Sequence, residues 1–196
     1  MNMDRPVGEE EVMEMNAALA QNKTFTTDYL DELPEEIRAE VIDGQIFYMA
    51  APYVIHQKLV SELHFVSKKH VKDQDGACEV LVSPVGVRLN SDKRTEVQPD
   101  IIVVCDKEKL KPEACYGAPD LIIEIASKST QSRDYGMKML KYRTAGVKEY
   151  WIVDPKKRTV MVYWFEDENQ NCLYDFEDEI AFHLFSEVKV RIADWV

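Results

Sequence analysis

The sequence predicts an α+β (mixed α/β) fold, a central mixed sheet flanked by helices, with an N-terminal helical arm ahead of it. Three observations lead there. β-prone runs and helical stretches follow the order helix, hairpin, helix, several strands, helix, several strands. Residues 97–104 and 120–125 are almost continuously apolar, as in central strands covered on both faces. A chain of 196 residues is one domain, long enough to bury a core without staples.

In residues 1–24, acids alternate with Val12, Met13, Met15 and Leu19, a lightly apolar helical pattern that forms the arm. The main domain is expected over residues 25–196. Thr26-Thr27-Asp28 opens a short helix, with Thr27 as N-cap and Asp28 and Asp31 at its positive end. Residues 40–49 read as a β-hairpin around Asp43-Gly44, because Asp-Gly accepts the left-handed turn geometry. Residues 53–71 form a helix with an apolar stripe of Ile55, Leu59, Leu63 and Val66, and with Lys68, Lys69 and Lys72 near its negative end. Strands are expected at 79–82 and 85–89, around Ser83-Pro84, and in the two apolar runs. A further helix spans 132–145, capped by Ser132 and stopped by Gly146. Strands at 147–153 and 159–165 flank a turn at Asp154-Pro155, and weaker β segments lie near 172–176 and 179–184.

Composition narrows the setting. No apolar run approaches the roughly 18 residues that span a bilayer. The N-terminus carries acids where a signal peptide needs bases, so a cytoplasmic protein with no membrane partner is expected. Cys78, Cys105, Cys115 and Cys172 contain no C-x-x-C pair and are expected to be free thiols, with Cys105 in the core. The net charge of −12 argues against passive nucleic-acid binding. It is unevenly spread, however: residues 107–158 hold 12 Lys/Arg against 7 Asp/Glu, a net of +5, and the remainder holds −17. That segment is either a solvated helix face with a Lys-rich turn or a surface for a phosphate backbone.

Two acids stand where strands should be buried. Asp100 leads into Ile101-Ile102-Val103-Val104, and Glu124 lies within Leu121-Ile122-Ile123-Glu124-Ile125. A desolvated carboxylate needs a partner or a metal, and two on neighbouring strands can share a divalent cation. Oxygen ligands without a Cys or His set select Mg²⁺ or Mn²⁺. Glu40, beside Val41-Ile42, is a third candidate metal ligand. A metal-dependent hydrolase also needs positive charge near the reacting water or phosphate. Lys138, between Met137 and Met139 and four residues before Tyr142, is either held inward or snorkels to solvent. Lys128, four residues after Glu124, is its rival. His56, His64 and His70 have helical spacings of eight and six, which do not make a metal set, and His183 is remote.

These residues carry a resemblance. Glu40-(x)2-Asp43-Gly44, Gln98-Pro99-Asp100, Pro119-Asp120-(x)3-Glu124, Arg133-Asp134-(x)3-Lys138-(x)3-Tyr142 and the run from Ala145 to Pro155 together resemble the Uma-two family. The resemblance covers about residues 25–192. It implies a restriction-endonuclease-like fold of the PD…E-x-K nuclease superfamily. Asp100 then matches the Asp of the P-D motif, Glu124 the following strand carboxylate, and Glu40 the acid of the N-terminal element, which completes the metal shell or holds Lys138. Ala126 stands where the superfamily pattern has its lysine, and Lys138 on the next helix matches the position this family uses instead. The implied activity is Mg²⁺-dependent (or Mn²⁺-dependent) hydrolysis of DNA phosphodiesters by Glu40, Asp100, Glu124 and Lys138. DNA is held weakly through residues 107–158, and a homodimer supplies two sites. Two other readings stay open: a nuclease-fold binding or accessory module without useful turnover, and a metal-dependent hydrolase of another phosphoester or small substrate.

Overall fold

A computed structural model describes residues 24–34, 37–91, 93–127 and 130–196. The expected arm lies outside the described residues except for Thr24, and so do Lys128 and Ser129.

The chain enters through a short helix α1 (Thr27–Asp31) and a hairpin of β1 (Ala39–Ile42) and β2 (Gln45–Tyr48). Asp43 (φ 53°) and Gly44 (φ 81°) both turn left-handed at its tip, the geometry that matches the twist of paired strands. Helix α2 (Val54–Asp73) buries Leu59, Val60, Leu63 and Val71. Strands β3 (Glu79–Val82), β4 (Val87–Arg88), β5 (Glu96–Val97), β6 (Ile101–Val104), β7 (Cys115–Tyr116) and β8 (Leu121–Ile125) follow. The next helical segment has three parts: α3 (Gln131–Arg133), a π-helical stretch over Asp134–Lys138, and α4 (Met139–Ala145). Gly146 ends it at φ 95°. Strands β9 (Glu149–Asp154), β10 (Thr159–Trp164), β11 (Cys172–Asp175), β12 (Ile180–Ala181) and β13 (Lys189–Val190) complete the chain.

The strands form a six-stranded mixed sheet in the order β11-β10-β9-β8-β6-β3, a five-stranded sheet β2-β1-β5-β4-β7, and the pair β12-β13. Only β8 and β9 are parallel in the six-stranded sheet, and the segment from α3 to α4 connects them. One face carries Leu121, Ile123, Trp151 and Val153 against Leu59 and Leu63 of α2. The other carries Ile102, Ile122 and Ile152 against Tyr142 of α4. The sheet therefore lies between two helical layers, mixed α/β as expected.

Several expectations need correction. Residues 97–104 are not one strand: β5 belongs to the five-stranded sheet and β6 to the six-stranded one, with Gln98-Pro99-Asp100 as the crossing. Pro99 has no N–H to donate to a ladder, so the run breaks there. Thr27 is not a cap but the buried first residue of α1, and Thr26 stands at the N-cap position. Ser132 lies inside α3 rather than capping it, and the Thr130 carbonyl accepts from the amides of Arg133 and Asp134. Cys78 and Cys105 are joined in a disulfide rather than free. They lie directly opposite each other, one step beyond the Glu79–Val104 pair of the β3–β6 ladder, a proximity that spacing along the chain cannot reveal. Cys115 and Cys172 are free, and Cys115 is buried. Among the described residues no helix is long and apolar enough to cross a membrane.

Candidate active site

Asp100 and Glu124 meet through strand register. β6 and β8 run antiparallel with Ile101 opposite Ile123, so Asp100, one step before β6, falls opposite Glu124. Residues opposite each other on an antiparallel pair project from the same face. Both line a cavity of about 500 Å³ at this end of the sheet. Its walls come from the 49–57 segment leading into α2, from the end of β3, and from Pro155 and Lys156 in the β9–β10 turn.

Asp100 Oδ2 accepts a hydrogen bond from the Ile125 amide at 2.8 Å and lies 3.2 Å from His56 Nε2. Asp100 Oδ1 accepts no hydrogen bond from the described residues. His56 was not singled out by its spacing along α2. The signal that would have found it is its place in the first turn of a helix that follows an exposed, apolar lead-in, and only packing makes that informative.

Lys138 is 1% exposed, which removes the snorkelling alternative. Its Nζ lies 2.7 Å from Glu40 Oε1, 2.9 Å from Glu124 Oε1 and 3.8 Å from Asp134 Oδ1. Glu124 Oε1 also accepts from Tyr142 Oη at 2.8 Å, so the lysine and the tyrosine reach one oxygen from successive turns. The π-helical stretch, with its wider i→i+5 bonding, carries both Asp134 and Lys138 inward, and such interruptions recur at functional sites. Sequence reasoning missed Asp134, whose carboxyl is buried here.

Glu40 lies beneath the cavity rather than on its wall. It is fully buried, its Oε1 accepts from the Gln98 amide at 2.9 Å, and its Oε2 is buried without a hydrogen-bond partner. The structure thus brings Glu40, Glu124 and Lys138 into one contact group and sets Asp100 beside it. Lys128 lies outside the described residues.

The charges strain one another. Burial raises Glu124, the Lys138 ammonium opposes this, and the negative charges of Asp134, Asp100 and Glu40 add to it, so the carboxyl is pushed up to about 8. Burial likewise lifts Asp134 to about 6 against the pull of Lys138. For Glu40 burial raises the value, but Lys138 and Arg133 together outweigh it and hold the carboxyl below its usual range. Burial disfavours the Lys138 ammonium, yet Glu124, Glu40 and Asp134 more than compensate and keep it charged.

This group carries more acid than base and fits a cation. Among the described residues no three His, Cys, Asp or Glu side chains form a metal cage by themselves. Two carboxylates on an open cavity suit a hard, hydrated ion such as Mg²⁺, which keeps several waters and takes one or two carboxylates plus substrate phosphates.

Comparison with known proteins agrees with this architecture. A protein of Synechocystis sp. (strain ATCC 27184 / PCC 6803 / Kazusa), named "Uncharacterized protein slr1290", is 24% identical over 157 residues, which cover 79% of this chain and 81% of the relative. A crystal structure described as "a putative nuclease belonging to DUF820 from Anabaena variabilis ATCC 29413" superposes with a TM-score of 0.72 at 24% identity, covering 87% of this chain and 97% of that one. At that identity the likeness establishes the fold. Residues 27–191 match the model of the family described as "Uma2: Putative restriction endonuclease", and the chain belongs to that family.

Proposed function

We propose that this protein is a divalent-metal-dependent endonuclease that hydrolyses DNA phosphodiester bonds. The observation that carries the reading is the register that sets Asp100 opposite Glu124 in one cavity, with Lys138 held against Glu124. Asp100 and Glu124 would hold Mg²⁺ or Mn²⁺. A bound divalent ion supplies a lowered water pKa and charge stabilisation at the phosphoryl oxygens.

The chain's own residues do the rest. His56 and the Ile125 amide fix Asp100 Oδ2, which orients that carboxylate. Lys138 stays charged, so it is not a base. It lines the cavity as a fixed donor and offsets negative charge developing on the scissile phosphate. Glu40 lies below the cavity and holds Lys138 rather than the ion. Holding matters because small misplacements of a catalytic group erode rate steeply. Arg38 and Lys156 line the same cavity and offer charge to flanking phosphates. A homodimer belongs to this reading, each copy carrying one site for one strand.

The test is cleavage of supercoiled plasmid and of circular single-stranded DNA with Mg²⁺ or Mn²⁺, with an EDTA control and the Asp100→Ala variant. Metal-dependent cleavage of either substrate that Asp100→Ala abolishes supports the reading. Cleavage unchanged in the variant, or no cleavage of either substrate with either metal, overturns it.

A further inference from the structure

We propose that the cavity takes an unpaired DNA strand rather than an intact duplex, with Tyr53 as the platform on which a base stacks. This rests on the nuclease reading above and narrows its substrate.

The shape of the site comes first. A cavity of about 500 Å³ is on the scale of small-ligand pockets rather than of a groove that embraces a duplex. Its carboxylates lie inside it, so a scissile phosphate must enter. Its lining includes the apolar residues Met49, Pro52, Tyr53, Ile55 and Val82. Tyr53 is 62% exposed immediately before α2, and Ile55 and Val82 are each 39% exposed. Single exposed apolar residues need no explanation, but several lining one cavity mark a binding surface.

Charge points the same way. Duplex DNA presents a charge about every 1.7 Å and is gripped by rows of available Lys and Arg. Of the seven acids in residues 107–158, Asp120, Glu124, Asp134, Glu149 and Asp154 are buried, which leaves the segment's surface more basic than its composition. Yet Lys107, Lys111, Lys141, Arg143, Lys148 and Arg158 each pair with a carboxylate. At the cavity, Arg38 and Lys156 have no acidic partner among the described residues, and Arg38 is instead braced by Gln98 and Ser83. Two such cations match one or two phosphates.

So short a charged track binds DNA weakly unless another term is added. Stacking of a base on an aromatic ring supplies one, and it is sequence-tolerant. In a duplex each base face is already occupied by its neighbours, whereas an unpaired strand offers its faces to Tyr53.

The experiment measures anisotropy of a short fluorescent oligothymidine and of its duplex without divalent metal, so that binding is read apart from turnover. The expected result is tighter binding of the single strand by tenfold or more. Tyr53→Ala should weaken it by about five- to a hundredfold and Tyr53→Trp should restore it. The log–log salt slope should be about 0.7 to 1.4 in magnitude, from one or two phosphate contacts on a single strand. Equal or tighter binding of the duplex, or single-strand affinity unchanged in Tyr53→Ala, overturns the inference. A single strand bound with this Tyr53 dependence but left intact with Mg²⁺ and Mn²⁺ upholds the strand preference and overturns the nuclease reading alone.

Discussion

Glu124 and Glu149 stand on the neighbouring parallel strands β8 and β9, both buried, at opposite ends of those strands and on opposite faces of the sheet. Glu149 is closed in. Its Oε1 accepts from Trp151 Nε1 at 2.7 Å and from the His183 amide at 2.9 Å, and its Oε2 from the Leu184 amide at 2.7 Å. These donors are neutral and fixed, and they tie the C-terminal segment to the sheet. Glu124 instead meets a lysine and a tyrosine at one oxygen, leaves the other without a described partner, and faces a cavity. Burial raises both carboxyls, and the hydrogen bonds to His183, Leu184 and Trp151 lower Glu149 where the neighbouring acids push Glu124 further up. The lesson is that burial of an acid in a strand does not mark a site. Its set of partners does: backbone amides indicate architecture, whereas like charges gathered around one ammonium on a cavity indicate chemistry.

The most disruptive way to break the Glu124 end is Lys138→Met. It strands Glu40, Glu124 and Asp134 without their shared cation, and loss of one partner of a buried ion pair costs about 3–5 kcal/mol. Urea unfolding should register that loss, together with loss of any hydrolysis. A milder pair of variants sharpens the contrast. Glu149→Gln turns an NH₂ toward one of the backbone amides and should cost about 1–3 kcal/mol in urea while leaving hydrolysis per folded molecule unchanged. Glu124→Gln should abolish metal-dependent hydrolysis yet shift stability by no more than about 1 kcal/mol, since the amide oxygen still accepts from Lys138 and Tyr142. Should the two variants exchange these phenotypes, the division between architecture and chemistry is wrong.

pH separates the two ends further. The folded values of Glu124, about 8, and Asp134, about 6, lie above their ordinary values of 4.5 and 3.8. The folded state then holds more protons than the unfolded one between those limits, so stability is greatest at the acid side and is lost as pH rises. Urea titrations of the metal-free protein should show stability falling from about pH 5 to pH 8. Glu124→Gln should flatten the upper part of that fall, leaving the part due to Asp134. Glu149 contributes with the same sign, from its ordinary value of 4.5 upward. Glu40, held low, acts oppositely, and its contribution disappears only in acid. The smallest effect comes from a single hydrogen bond: Tyr142→Phe should cost about 1 kcal/mol and should also slow hydrolysis.

Local signals were legible wherever neighbours along the chain decide the outcome. Asp43-Gly44 specifies its hairpin turn because few other dipeptides accept two left-handed residues, and Gly146 ends α4 for the same reason. Of the expected stripe on α2, Leu59 and Leu63 are buried and Val66 is partly so, because helical periodicity is local, whereas Ile55 is exposed. Asp100 and Glu124 could be singled out because a carboxylate in an apolar run demands an explanation. The tertiary structure alone decided what meets across distance. It divided the run after Glu96 between two sheets at Pro99, joined Cys78 to Cys105, and brought His56 to Asp100. It also drew Lys138 to Glu40 across almost a hundred residues of chain. Turns and helix faces follow from the backbone preferences and periodicity of adjacent residues, whereas which buried charge faces which is set by packing the sheet between its helices, where each ion must find a partner or expose itself to water.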